Sequence, residues 1–181
     1  MFNKKVKQVM NVDGMSCSHC AKRVENSLKE VEGVLKVSMF LLTGCSKSQE
    51  NKFVNVEAKE DKIVIDTKDI SNKVTFVNYK VDDTTIQFLV VKGSDGKIRI
   101  AFNTCNSCNP SPNAYYVQEG DYIVCQNCGN KFHIDEIGEN GIGCNPMVVE
   151  EKQINDNSII LDKNYVESFK EKFKNFNGPT E

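Results

Sequence analysis

The sequence predicts an α+β protein: a short βα metal-binding segment, then a β-rich domain with a cysteine-rich metal-binding loop region and a C-terminal helix. Three observations predict this. Apolar residues recur at helical spacing only near the two ends, at Val24, Leu28 and Val31 and again at Val166, Phe169 and Phe173. Between them, runs rich in Val, Ile, Phe and Thr alternate with a period of two. Eight cysteines stand in 181 residues, six of them in CxxC pairs, within stretches rich in Asn and Gly.

Taken in order, residues 6–12 (VKQVMNV) read as a strand and GMSCSHC as the loop after it. A helix is predicted from Ala21 to Val31, with Gly33 as its stop and a second strand beginning over Val34–Met39. Residues 1–38 therefore form one segment, residues 39–52 an apolar patch and polar linker (FLLTGCSKSQENK), and residues 53–181 the β-rich domain. Strands are predicted over Phe53–Ala58, Lys62–Thr67, Lys73–Val81 and Thr85–Val91. Gly93-Ser94-Asp95-Gly96 is a turn that sends Lys97–Phe102 back as a hairpin partner. Residues 103–146 hold five cysteines and only short strand-like pieces, Ala114–Val117 and Tyr122–Val124. A strand near Ser158–Leu161 and a helix from Lys163 to Lys174 close the chain, with Asp162 as the helix N-cap.

Composition excludes several function classes. There are 23 basic and 25 acidic side chains, a net charge of −2, which is not the footprint of a nucleic-acid binder. No stretch approaches the roughly 18 apolar residues of a spanning helix. Residues 1–44 hold seven basic and four acidic groups, a net of +3, so the remainder carries −5. That asymmetry suggests two pieces of different origin. With two histidines and no nucleophile–base motif, hydrolase chemistry has no support, and the chain reads as a non-enzyme.

Cys17 and Cys20 lie between a predicted strand and a predicted helix. Two intervening residues let both sulfurs face one ion, and the helix N-terminus favours their thiolates. Such a pair suits copper or zinc. It also suits thiol–disulfide exchange, and an inert pair is the plain alternative. The longer string GMSCSHCAKRVENSLKEVEGV resembles the heavy-metal-associated domains of copper chaperones and copper-transporting ATPases. The resemblance implies Cys17 and Cys20 as ligands and Met15 as a buried loop anchor. That family folds as βαββαβ, and only its first half is recognisable here.

Leu41-Leu42-Thr43-Gly44-Cys45 matches the lipobox of bacterial lipoproteins, although the apolar run before it is short and Lys36 bounds it. Cleavage there would discard Cys17 and Cys20, so the lipobox and metal-segment readings compete. Either Cys45 is lipidated on a membrane-associated, extracytoplasmic protein, or it is a partly buried free thiol, with a cytoplasmic protein as the alternative.

The second cluster carries the stronger signal. Cys105, Cys108, Cys125 and Cys128 form C-x2-C-x16-C-x2-C, inside the spacing range of a four-thiolate site, with Gly129 supplying a knuckle turn. Cys144 is a fifth donor, and the glycines either side of Ile142 permit a close backbone approach. With His133, five or six soft donors exceed one tetrahedral ion, so either one CxxC is not a ligand pair or a second species binds. Zinc, copper and an iron–sulfur cluster all suit thiolates. His133, between Phe132 and Ile134, reads as a core or surface histidine.

The stretch DGKIRIAFNTCNSC…AYYVQEGDYIVCQNCGNKF…GIGCNPM resembles the FtrD-like family of membrane iron–sulfur proteins over about residues 53–162. The resemblance implies metal binding by Cys105, Cys108, Cys125, Cys128 and Cys144. It also implies a place in bacterial iron uptake, with a membrane metal importer as partner and metal handling or electron transfer as the role. A thiol–disulfide oxidoreductase and a structural zinc module for protein interaction are the rival expectations.

Overall fold

Strand-forming residues dominate the chain beyond Asn51, and the computed structural model builds twelve strands from them. It describes residues 27–29, 31 and 52–181. The predicted strands over 6–12 and 34–39 lie outside the described residues, as do Cys17, Cys20 and Cys45. Of the predicted first helix, residues 27–29 are helical.

The strands are β1 (Lys52–Val56), β2 (Ala58–Lys59), β3 (Lys62–Asp66), β4 (Thr75–Val81), β5 (Thr84–Lys92), β6 (Ile98–Cys105), β7 (Tyr116–Glu119), β8 (Tyr122–Cys125), β9 (Lys131–His133), β10 (Pro146–Val148), β11 (Lys152–Asn155) and β12 (Ser158–Asp162). They form three sheets: β1-β4-β5-β6-β10, β11-β12-β3-β2 and β7-β8-β9. The predicted hairpin over Gly93–Gly96 is present, with β5 and β6 antiparallel and Lys92 opposite Ile98.

The five-stranded sheet is buried on both faces, so β4, β5 and β6 carry apolar residues at successive positions as well as alternate ones. One face presents Val77, Phe88, Ile100 and Phe102 to Ile63, Ile65, Ile159 and Leu161 of the four-stranded sheet. The other presents Phe76, Leu89 and Ala101 to Tyr116 and Ile123 of the three-stranded sheet and to Ile134 and Ile137. On that second face the apolar pattern is interrupted by a transverse row of amides. Asn78 Nδ2 donates to Asn55 Oδ1 (3.1 Å), Gln87 Nε2 to Asn78 Oδ1 (2.7 Å) and Asn103 Nδ2 to Gln87 Oε1 (2.6 Å). Asn103 Oδ1 then accepts the Tyr116 N–H at 2.7 Å. Each buried amide is thereby satisfied, which is what permits it in a core.

The C-terminal helix is shorter than predicted. Asp162 is its N-cap, accepting the Tyr165 N–H at 2.9 Å, but the α-helix α1 spans only Lys163–Glu167. Ser168 Oγ donates to the Tyr165 carbonyl at 2.6 Å and Phe169 N–H bonds Val166 at 3.1 Å, so the chain tightens into a 3-10 turn over Lys170–Phe173. The predicted stripe survives the break. Val166 and Phe173 are buried, and Phe169 lies against Phe102 with ring centroids 4.4 Å apart.

Candidate metal centre

β6 ends at Cys105, and the following turn closes on itself. Asn109 N–H donates to the Cys105 carbonyl at 3.0 Å and Ser111 N–H to that of Cys108 at 2.9 Å. A similar turn follows β8, where Gly129 N–H donates to the Cys125 carbonyl at 2.8 Å and Cys125 N–H to that of Asn130 at 3.0 Å. Ser111 Oγ donates to Asn127 Oδ1 at 2.7 Å and links the two turns. The antiparallel register of β7 and β8 sets Tyr116 opposite Cys125, so both CxxC turns meet at one end of the small sheet. Cys144 comes from the loop before β10, whose pairing with β6 puts Pro146 opposite Cys105. Asn106 holds that loop, its N–H donating to Asn145 (3.1 Å) and its Nδ2 to the Gly141 carbonyl (2.7 Å). The Cys144 carbonyl accepts both the Cys105 thiol, at 3.5 Å, and the Tyr116 hydroxyl.

All five later cysteines are thus brought to one place. The sulfurs of Cys105, Cys108, Cys128 and Cys144 lie within 4.8 Å of one another. Cys125 stands beside this group, its Sγ 4.0 Å from that of Cys108. Spacing alone singles out the two CxxC pairs; in space, the mutual group has Cys144 where that set has Cys125. The glycine expectation holds at Gly141, where a Cβ would stand 3.2 Å from Val148 Cγ2, and not at Gly143. Gly143 has φ +68 with nothing within 4 Å of a Cβ built on it, so the turn selects glycine there. A tighter approach is made at Gly138, φ +76, where a Cβ would collide with the Ile100 carbonyl oxygen. His133 is not in the thiol group. Its Nδ1 accepts the Asp135 N–H at 3.3 Å and caps a 3-10 turn.

The site is graded in exposure: Cys105 and Cys125 are buried, Cys108 and Cys144 half-buried, and Cys128 exposed. Burial pushes the Cys108 thiol well up, with the neighbouring thiols adding to the effect and the Asn127 side chain opposing it. Burial likewise raises Cys125 to about 11, against the backbone N–H groups of Cys128 and Asn127 that point at its sulfur. At Cys128 burial opposes ionisation too. The Asn130 N–H and the thiols of Cys125, Cys108 and Cys144 overcome it and hold Cys128 below its ordinary value. Of Cys108, Cys125 and Cys128, the exposed one is therefore the one whose thiolate is favoured.

A tetrahedral ion with metal–sulfur bonds of about 2.3 Å sets its sulfurs about 3.8 Å apart. Four sulfurs within 4.8 Å can close on one such ion by small side-chain rotations. Zinc, copper and an iron–sulfur cluster are all chemistries that such a thiolate set can hold. Sequence reasoning missed Tyr116, which ties β7 to Cys144, and the amide row that fixes Tyr116. The signal was available, because Asn78, Gln87 and Asn103 each interrupt an apolar run.

Comparison with known proteins gives two matches to protein families. Residues 70–173 match the family described as membrane iron-sulfur containing protein FtrD-like, and residues 9–44 match the heavy-metal-associated domain. The copper chaperone CopZ of Staphylococcus aureus strains JH9, Newman and USA300 is 33% identical over 58 residues, 32% of this chain and 74% of the chaperone. No solved structure matches.

Proposed function

The chain belongs to the membrane iron-sulfur containing protein FtrD-like family, and from that premise we propose that it is a non-enzymatic metal-handling protein working beside a membrane metal importer. Its cargo is a single soft or transition-metal ion held by thiolates of the second cysteine cluster. The observation that carries this reading is the group of four sulfurs within 4.8 Å of one another. Soft thiolates select zinc, copper(I) and iron(II) over calcium or magnesium. The exposed Cys128 gives the ion a way in from solvent, while Cys105 and the amides around it anchor the buried side.

The heavy-metal-associated match and the copper chaperone relatives support metal binding in the N-terminal segment as well. We assign copper, with zinc as the alternative, to Cys17 and Cys20. The family description supports association with a membrane, although no helix among the described residues is long and apolar enough to cross one. Lipidation at Cys45 would supply an extracytoplasmic anchor, but the cleavage that precedes it would discard Cys17 and Cys20, so it competes with the copper assignment; the alternative is a cytoplasmic protein that keeps the pair. Mass spectrometry of the protein from cells distinguishes the two by an acyl group on Cys45.

The lowered, exposed Cys128 thiol beside Cys108 and Cys125 favours one second reading, thiol–disulfide exchange. Elemental analysis with an absorption spectrum, on full-length protein purified without oxygen, tests the main reading. One metal per second-cluster site and no labile sulfide is expected. Iron with equimolar sulfide and a broad visible band would overturn the single-ion reading in favour of electron transfer. Metal-free protein that turns over in an insulin-reduction assay would overturn it in favour of the oxidoreductase.

A further inference from the structure

Five thiols meet where one ion needs four, and the two that compete for the fourth place differ in kind. Cys125 sits in strand β8 with both backbone groups bonded, and it is 1% exposed. Its sulfur is 4.0 Å from Cys108, so it already touches the edge of the four-sulfur group. Cys144, by contrast, sits in a loop outside the sheets. Its carbonyl is held by Cys105 and Tyr116, and its half-buried side chain lies at the edge of the buried cluster with its thiol against that of Cys128.

We propose that the ion is held alternately by two overlapping tetrads that share Cys105, Cys108 and Cys128, and that Cys125 and Cys144 exchange as the fourth ligand when the ion is taken up or given away. This rests on the single-ion reading above. In the exchange a metal–sulfur bond to Cys125 forms and the one to Cys144 breaks. The proton of the Cys125 thiol passes to the Cys144 thiolate, and no electron is transferred. Coordination by four sulfurs is kept throughout, so the ion moves between a state with Cys144 bound at the rim and one with that side chain released. Such a site keeps four sulfurs on its cargo while freeing Cys144 at the rim.

The test uses cobalt(II) as a spectroscopic probe in the full chain, in a Cys17→Ser/Cys20→Ser background that removes the N-terminal pair. The d–d and charge-transfer bands distinguish four sulfurs from three. Cys125→Ser and Cys144→Ser are each expected to keep the four-sulfur spectrum at one ion per chain, with affinity reduced about tenfold or less. The double variant is expected to show three sulfurs and an affinity loss on the order of a hundredfold or more. Loss of the four-sulfur spectrum in either single variant, or its survival in the double, would overturn the proposal. Because Cys125→Ser perturbs a buried position, cadmium-loaded protein with Cys125 and Cys144 intact gives an independent reading. Proton–cadmium couplings to the β-protons of both Cys125 and Cys144 are expected, and coupling to only one of them overturns the exchange. Failure of the parent reading looks different, since the unmutated cluster would then bind no cobalt or several ions.

Discussion

Asn103 is the junction between the amide row and the metal centre, and replacing it by leucine separates hydrogen bonding from volume. The side chain donates to Gln87 Oε1 at 2.6 Å and accepts the Tyr116 N–H at 2.7 Å, and all three residues are 0% exposed. Leucine of similar shape leaves no cavity but orphans the Gln87 oxygen and the Tyr116 N–H. Two orphaned buried groups cost about 1–3 kcal/mol each. Removing the buried amide returns about 0.5–2 kcal/mol, so the expected net loss is about 2–4 kcal/mol. That is a large share of the roughly 5–15 kcal/mol that holds a domain together. Urea unfolding of the full chain reads it as a fall in midpoint of about 1–2 M. The paired change Asn103→Leu/Gln87→Leu removes one orphan with its partner, so its loss should be smaller than the sum of the single changes. A loss under about 1 kcal/mol for Asn103→Leu, or strict additivity in the pair, would refute a continuous row.

Three further outcomes are expected. Gly138→Ala meets both a positive φ and the Ile100 carbonyl oxygen, and should cost at least about 2 kcal/mol in the same unfolding assay. Tyr79, whose hydroxyl donates to Glu167 Oε1 at 2.8 Å, is raised from 10.0 to about 12 by burial first and Glu167 second. Its neutral form is favoured in the folded state, so this stabilisation is complete below pH 10 and is lost as pH rises toward about 12. Tyr79→Phe should remove that alkaline step while leaving others. The raised Cys108 and Cys125 thiols must give up protons to bind an ion, so metal uptake should release protons and weaken as pH falls. Calorimetry in buffers of different ionisation enthalpy reads the release, and pH-independent uptake would contradict it.

The strands were legible because alternation and turn residues are local signals. The Gly93–Gly96 turn, the Asp162 cap and the Val166/Phe169/Phe173 stripe all follow from neighbours in sequence. What was not legible is long-range. Whether Cys125 or Cys144 joins the other three depends on where β10 pairs with β6, which no local pattern records. β9 and β11 are brief, and β10 is three residues long and begins on Pro146, so none of them carries enough alternation to announce itself. The break after α1 was missed for a different reason. Periodicity is kept by Phe169 and Phe173 at the two ends of the 3-10 segment, and the α-helix gives way where Phe169 N–H turns to the Val166 carbonyl and the Ser168 hydroxyl takes that of Tyr165.

Whether the ion is cargo or scaffold turns on what holds the sulfurs in place. In a structural zinc module the metal supplies the folding energy, and the ligand turns scatter when it is removed. Here the turns are fixed by bonds that owe nothing to metal: Cys105 to Ala114 at 2.7 Å, Cys125 to Asn130 at 3.0 Å, Asn106 to Gly141, and Tyr116 to the Cys144 carbonyl. The face beneath them buries Phe76, Leu89, Tyr116, Ile123 and Ile137 completely or nearly so. At about 1.5–3 kcal/mol per side chain, these five contribute on the order of 10 kcal/mol, comparable to what a structural zinc supplies to a small finger. The β-rich unit should therefore stay folded without its ion. Circular dichroism and denaturant unfolding of the full chain before and after exhaustive chelation test this. Retained strand signal with a cooperative transition is expected, and collapse of the transition on chelation would return the site to the role of a scaffold.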